Sequence, residues 1–207
     1  MKDREEHGSF SCRKWIIKKE IKIMKNIKRE NTMKMYETRV EMWRKIKKQH
    51  DSLREKIEAF YHLHEDMLPS DEYFTMKNPS EEEIKMLEKE LGFSVPEDYK
   101  WFLNMFGAGG IFFEIYGYLD GTFTCLEPTL RVREELFGRI GDGEELEFEP
   151  DNILVVSYDG EVIYGIDVKT GKIVDICDDM CFFGAGSFLE FLLSEMEDSI
   201  YEVYSQA

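Results

Sequence analysis

The sequence predicts an α+β fold: N-terminal helices, a central antiparallel-rich twisted sheet of about five strands, and a C-terminal helix packed on it. Three observations predict it. Apolar residues recur at helical spacing up to residue 106, alternate at strand spacing between about 111 and 176, and return to helical spacing from 188. Two Ser-x-x-Glu capping boxes, Ser80 with Glu83 and Ser187 with Glu190, mark helix starts on either side of the strands. Turn chemistry (Asp120-Gly121, Asp159-Gly160, Lys169-Thr170-Gly171) separates the strand-like runs at hairpin distances. Helices first, strands next and a helix last is the order of an α+β domain rather than of alternating βαβ units.

The elements follow in order. Residues 13–29, RKWIIKKEIKIMKNIKR, carry eight Lys or Arg and one Glu, with Trp15, Ile17, Ile21 and Met24 near one helical face. This pattern suits a basic amphipathic helix for a membrane surface or a nucleic acid. The competing reading places translation starts at Met33 or Met35, because Lys28-Arg29-Glu30 can be encoded by a purine-rich, ribosome-binding-like stretch just upstream. Residues 1–35 are therefore set apart as a basic extension outside the domain. Residues 36–68 read as an amphipathic helix, with Trp43, Ile46, Leu53, Ile57 and Phe60 in a seam that includes His50, ending at Leu68-Pro69-Ser70.

The domain proper is expected over 69–207. Ser80 opens a helix with Ile84, Leu87 and Leu91 inward and Gly92 as its stop. Pro96 suits the first position of the next helix, whose buried face is Tyr99, Phe102, Leu103 and Phe106. Strands are expected at 111–118 and 122–126. A short helix at 129–137 and an acidic loop follow. NILVVSY, EVIYGIDV (Val162, Tyr164, Ile166 and Val168 on one face) and IVDIC complete the sheet. The last helix turns Phe188, Leu189, Leu192, Leu193, Met196, Ile200 and Val203 inward.

Charge divides the chain. Residues 1–68 hold 18 Lys and Arg against 12 Asp and Glu, whereas residues 69–207 hold 9 against 31. Such an acidic body repels nucleic acid and acidic membranes and favours a basic partner. No run of 18 apolar residues exists to cross a membrane, and no apolar segment with a small-residue cleavage site opens the chain, so a cytoplasmic protein is expected. Cysteines 12, 125, 177 and 181 are scattered and read as free thiols.

Candidate chemistry is thin. GAGG at 107–110 follows a helix, so carbonyls rather than amides face it, and it lacks the lysine of a phosphate loop. Gly107 is read instead as a left-handed helix cap, and Gly109 and Gly110 as a bend into the sheet. FGAGS (183–187) does precede a helix but also lacks a lysine. Asp151, Asp167 and Lys169 mimic a loose nuclease spacing, yet the lysine falls in a turn and the body is acidic. Cys177 with Cys181, and HLHED at 62–66, each lack the further ligands of a zinc site, leaving the cysteines as small hydrophobes and the histidines as exposed helix-end groups. No catalytic residue, cofactor or metal is expected.

The stretch PSEEEIKMLEKELGFSVPEDYKWFLNMFGAGG resembles the opening of the SUKH superfamily, the Smi/Knr-like group. Pro96, Asp98, Tyr99, Phe102, Leu103, Gly109 and Gly110 carry the likeness. ILVVSYDGEVIYGIDVKTGKI is similar to the family's strands, and Ser187, Phe188, Phe191 and Leu192 to its closing helix. YKWFLNMFGAGGIF is especially similar to bacterial YobK-type antitoxins. The basic arm and the loop RIGDGEELEFEPD (139–151) fall outside the family pattern. The resemblance implies a non-enzymatic binding domain: in bacteria an immunity protein that blocks a toxin, often a nuclease, and in fungi a regulator of cell-wall assembly with several partners. The first is expected here, with the acidic surface occupying the toxin's basic groove. The contact surface is expected among Asp120, Glu144, Glu145, Glu147, Glu149, Asp159, Glu161, Asp178 and Asp179, with Phe148 and Phe182 as exposed aromatics.

Overall fold

A computed structural model describes residues 33–65, 74–109, 114–141, 143–158, 160–177 and 181–206. They fall into two units, residues 1–49 with 201–207 and residues 50–200. In the first unit a helix (α1, 33–46) ends in a turn at 47–49. Trp43 is its buried residue, with the Lys47 ammonium 5.8 Å from the ring centroid. The basic stretch 13–29 lies outside the described residues.

The second unit opens with α2 (Leu53–His64). The periodic stretch 36–64 is thus two helices rather than one. The break is local chemistry: the Ser52 hydroxyl accepts from the Glu55 N–H at 3.3 Å, and the Glu55 carboxylate accepts from the Ser52 N–H at 3.5 Å. The apolar period runs through this third capping box and conceals it. His64, expected as an exposed group, is buried, with Nδ1 2.9 Å from the Phe60 carbonyl oxygen.

Helix α3 (Glu81–Leu91) begins and ends as its sequence says. Ser80 and Glu83 form the capping box, and Gly92 stops it at φ 80°, ψ 9°. Helix α4 (Glu97–Phe106) has Pro96 as N-cap rather than as first helical residue. Tyr99, Phe102, Leu103 and Phe106 are all fully buried. Gly107 has the positive φ expected of a cap (76°), but its ψ of −84° lies outside the left-handed helical region. Its carbonyl is turned to accept from the Tyr118 N–H at 3.0 Å. A Cβ at Gly107 would stand 2.2 Å from Thr75 Oγ1 and 2.6 Å from the Lys77 carbonyl oxygen, so only glycine fits.

The expected strand 111–118 appears as two pieces, β1 (Glu114–Ile115) and β2 (Tyr118–Leu119), among the described residues. Gly117 separates them, its N–H bonded to Thr124 Oγ1 at 2.8 Å. Strand β3 (Thr122–Phe123) pairs with β2 across Asp120-Gly121, both at positive φ, the geometry of a tight hairpin turn. The expected strand to residue 126 ends early because Leu126 begins a helix, α5 (Leu126–Gly141).

The main sheet is antiparallel throughout, in the order β1, β4 (Ile153–Tyr158), β5 (Ile163–Asp167), β6 (Lys172–Ile176), β7 (Cys181–Ser187). Tyr158 pairs with Ile163, so four residues join β4 to β5 where a two-residue turn was expected. The β5–β6 turn is held by Asp167, whose carboxylate accepts from the Lys169 N–H at 3.0 Å and the Thr170 hydroxyl at 2.8 Å. Helix α6 (Phe188–Gln206) starts at the Ser187–Glu190 box.

Both sheet faces are covered. On one, Ile153, Val155, Val174 and Ile176 pack with Val132 and Leu136 of α5. On the other, Tyr164 meets Phe191, and Phe188 of α6 lies edge-on to Tyr99 and Phe102. Phe106, Phe74 and Tyr61 extend that aromatic cluster. Ile163, in the single-face stretch of the sequence reading, packs on the α5 side, so β5 is buried on two faces rather than one.

Candidate functional site

Four of the nine acids named from the sequence, Glu144, Glu145, Glu147 and Glu149, lie in one segment, α5 and the chain after it to residue 152. Its geometry starts from an open edge. Strand β1 is so short that it covers only the end of β4, opposite Ser157 and Tyr158. The rest of that edge would leave backbone groups unpaired. Two α5 side chains one turn apart substitute for the missing strand. Thr129 Oγ1 accepts from the Val155 N–H at 2.9 Å. Arg133 donates from Nε and Nη2 to the Ile153 carbonyl at 3.3 and 3.1 Å.

Arg133 does more. It is 8% exposed, donates from Nη1 to the Leu91 carbonyl at 2.8 Å, and lies 4.7 Å over the Phe93 ring. It thereby ties the end of α3 to the sheet edge. Burial lowers its pKa, while Asp151 opposes that effect. The expectation of a short helix at 129–137 missed this role and missed seven residues of helix. Gly138 and Gly141 argue locally against continuation, but Val132 and Leu136 anchor the helix in the core.

Arg139, near the end of α5, grips Glu144 through Nε and Nη2, both at 2.6 Å, and donates from Nη1 to the Cys177 carbonyl at 2.9 Å. This fork holds the Glu144 carboxyl below its ordinary range. Arg131 stands 3.9 Å from Glu127. All three arginines of the segment are thus engaged by it or by the neighbouring backbone. Among the described residues Glu134, Glu145, Glu147 and Glu149 form no ion pair, and all four are exposed. The field leaving this surface is negative.

The remaining sequence candidates are distributed differently. Phe148, expected as an exposed aromatic, is 7% exposed and packs with Val132, Leu136 and Ile153; it anchors the acidic loop instead of presenting it. Asp120 sits in the β2–β3 turn, 2.6 Å from Lys77 Nζ. Glu161 is exposed in the β4–β5 connection. Asp159, Asp178 and Asp179 lie outside the described residues, as does the side chain of Phe182, whose backbone faces Asp175 across β6–β7. Leu130 and Phe137, exposed on α5, were not nominated. Their seven-residue spacing was visible, but which way the helix faced was not.

Among the described residues no group of three His, Cys, Asp or Glu is placed to hold a metal, and no helix is long and apolar enough to cross a membrane. Asp167 is consumed by its turn and Asp151 lies in the single 3-10 turn before β4. Cys125 is a free, buried thiol, pushed by burial to a pKa of about 11.

No curated protein matches the chain. The sequence pattern of the SMI1 / KNR4 family (SUKH-1) matches residues 78–194, more than half of the chain and all of the sheet's meander, from the helix cap at Ser80 into α6. The chain belongs to the SMI1 / KNR4 family (SUKH-1).

Proposed function

We propose that this protein is a cytoplasmic immunity protein, which neutralises a cognate basic toxin domain of the nuclease class by direct binding. The observation that carries the reading is the electrostatics of the α5 segment. Its arginines are spent internally on Ile153, Leu91, Cys177, Glu144 and Glu127, while Glu134, Glu145, Glu147 and Glu149 point their charge outward. A groove built to hold a polyanion is basic, so this surface is complementary to it and would speed encounter. Family membership supports an interaction module, and the YobK-like stretch at 99–112 supports the bacterial branch of that family.

The test is a pull-down with the tagged full-length chain from its native cell lysate, at low and high salt, followed by mass spectrometry. One basic polypeptide with a toxin-like domain, partly lost at high salt, is the expected result. Several unrelated partners would replace the immunity reading with that of a regulator of the cell-wall kind.

A further inference from the structure

We infer that the outer stripe of α5, with Tyr158 beside it, is the anchor of the docking surface, and that its partner offers an apolar socket ringed by Lys and Arg. The inference deepens the binding reading above but needs only that the protein binds a basic partner, not that the partner is a toxin.

The helix presents a second apolar line on the flank of its core face. Leu130 is 42% exposed and Phe137 46% exposed, and they lie seven residues apart with Glu134 between them, all on one face. Ile140, one turn on, is also exposed. Single exposed hydrophobics are ordinary on protein surfaces. Ile140, four residues after Leu136, falls toward the core face, whereas Leu130 and Phe137 lie about a quarter- to a third-turn round the helix from Leu136, with Glu134 between them, and form an exposed pair.

The sheet edge adds an exposed aromatic near the start of α5. Strand β4 carries a bulge between Val155 and Ser157. Without it, alternation from Ile153 and Val155 would send Tyr158 to the α6 side. With it, Tyr158 pairs with Ile163 and Glu114 and stands on the α5 side, 48% exposed. Bulges commonly re-aim a side chain in this way. Tyr116, whose N–H donates to the Val156 carbonyl at 2.7 Å, packs on the α5 core cluster, and Thr129 near the start of α5 accepts from the Val155 N–H at 2.9 Å, so the sheet edge that carries Tyr158 adjoins the start of α5.

Charge decides what occupies this surface. Leu130 and Phe137 are flanked by Glu127 and Glu134, and the only exposed arginine there, Arg131, is held near Glu127. Helix α3 supplies the contrast: Met86 is more exposed than either, but Lys85 and Lys89 lie beside it among the acids and no second exposed apolar residue lines up with it. An aromatic and aliphatic line in a negative field selects a partner with apolar contact area inside a basic rim.

The test pans a random peptide display library against the full-length chain, then measures the enriched peptides by titration. Peptides rich in Lys and Arg with interspersed aromatic or aliphatic residues are expected. Leu130→Ser with Phe137→Ser should weaken them at least about tenfold, and Glu134→Lys several-fold with a shallower salt dependence. Met86→Ser should leave them unchanged. The variants alter exposed side chains, and unchanged melting curves would confirm that they fold. Failure to enrich basic-apolar peptides, or binding that survives the Leu130 and Phe137 changes, overturns the inference. Tighter binding by a chain starting at Met33 would make the chain's own basic segment the occupant and also overturn it. If the peptides behave as expected while the lysate yields no toxin, the surface stands and the immunity reading falls. If a toxin is recovered whose binding ignores Leu130 and Phe137, the reverse holds.

Discussion

The two covers of the sheet are built on different principles. On one side α4 and α6 bury Tyr99, Phe102, Phe106 and Phe188 in a continuous aromatic cluster. Its polar groups are few and matched; the Tyr99 hydroxyl donates to the Tyr116 carbonyl at 2.5 Å. On the other side a single helix, α5, packs aliphatic residues and spends Thr129 and Arg133 on backbone groups of the sheet edge. Its exposed flank still carries Leu130 and Phe137, next to acids that form no ion pair among the described residues. The first cover buries its aromatic cluster but leaves an open cleft beside it, lined by Tyr164, Ile173, Asp175 and Phe191. The second leaves Leu130 and Phe137 exposed among acids.

The largest expected effect lies in the aromatic cover. Phe102→Ala removes a fully buried ring that touches Tyr99, Phe106 and Phe188. It should cost roughly 3–5 kcal/mol by urea titration. A loss under about 1 kcal/mol would mean that this side is not the principal core.

Arg133→Met should cost about 2–3 kcal/mol, because the Ile153 and Leu91 carbonyls lose charged donors in a dry site. Lysine at 133 should recover only part, since one ammonium lacks the fork that reaches both carbonyls. A full recovery by lysine would show that the charge, not the planar fork, closes the sheet edge.

Acid should loosen the α5 side through Glu144 and the α3 side through Glu83. Arg139 depresses the first; the Tyr118 hydroxyl, then Ser80, depresses the second. A depressed folded pKa means stability that is present at neutral pH and lost as pH falls through it, below the ordinary glutamate value of about 4.3. Urea midpoints between about pH 6 and pH 2 should fall less steeply in Glu144→Gln and Glu83→Gln than in the parent. Parallel curves would remove both contacts from the account.

The smallest stability effect belongs to the outer stripe. Phe137→Ser should change the melting midpoint by no more than about 0.5 kcal/mol equivalent, as for an exposed position. A larger loss would place Phe137 in the fold rather than on its surface and erase the contrast between the two covers.

The site was half legible in the sequence. Its acids were visible from composition, because charge needs no neighbour to be read. Phe148 and Leu130 could not be sorted by type, since both are apolar residues among acids. One turned inward to pin the loop and the other outward, according to how α5 met the sheet.

What the sequence determined by itself is whatever a few adjacent residues can decide. The Ser80 and Ser187 capping boxes, the Gly92 stop and the turn at Asp120-Gly121 rest on contacts within three or four residues, the inward face of α4 shows in its own periodicity, and all stand as read. Tertiary structure alone decided the ψ of Gly107, the length of α5, the bulge that re-aims Tyr158, and the use of Arg133 as a substitute strand. The reason is range. The Gly107 carbonyl meets Tyr118, 11 positions on, and Arg133 reaches Leu91, 42 positions back, and no local pattern can encode a partner whose position only the packed chain creates.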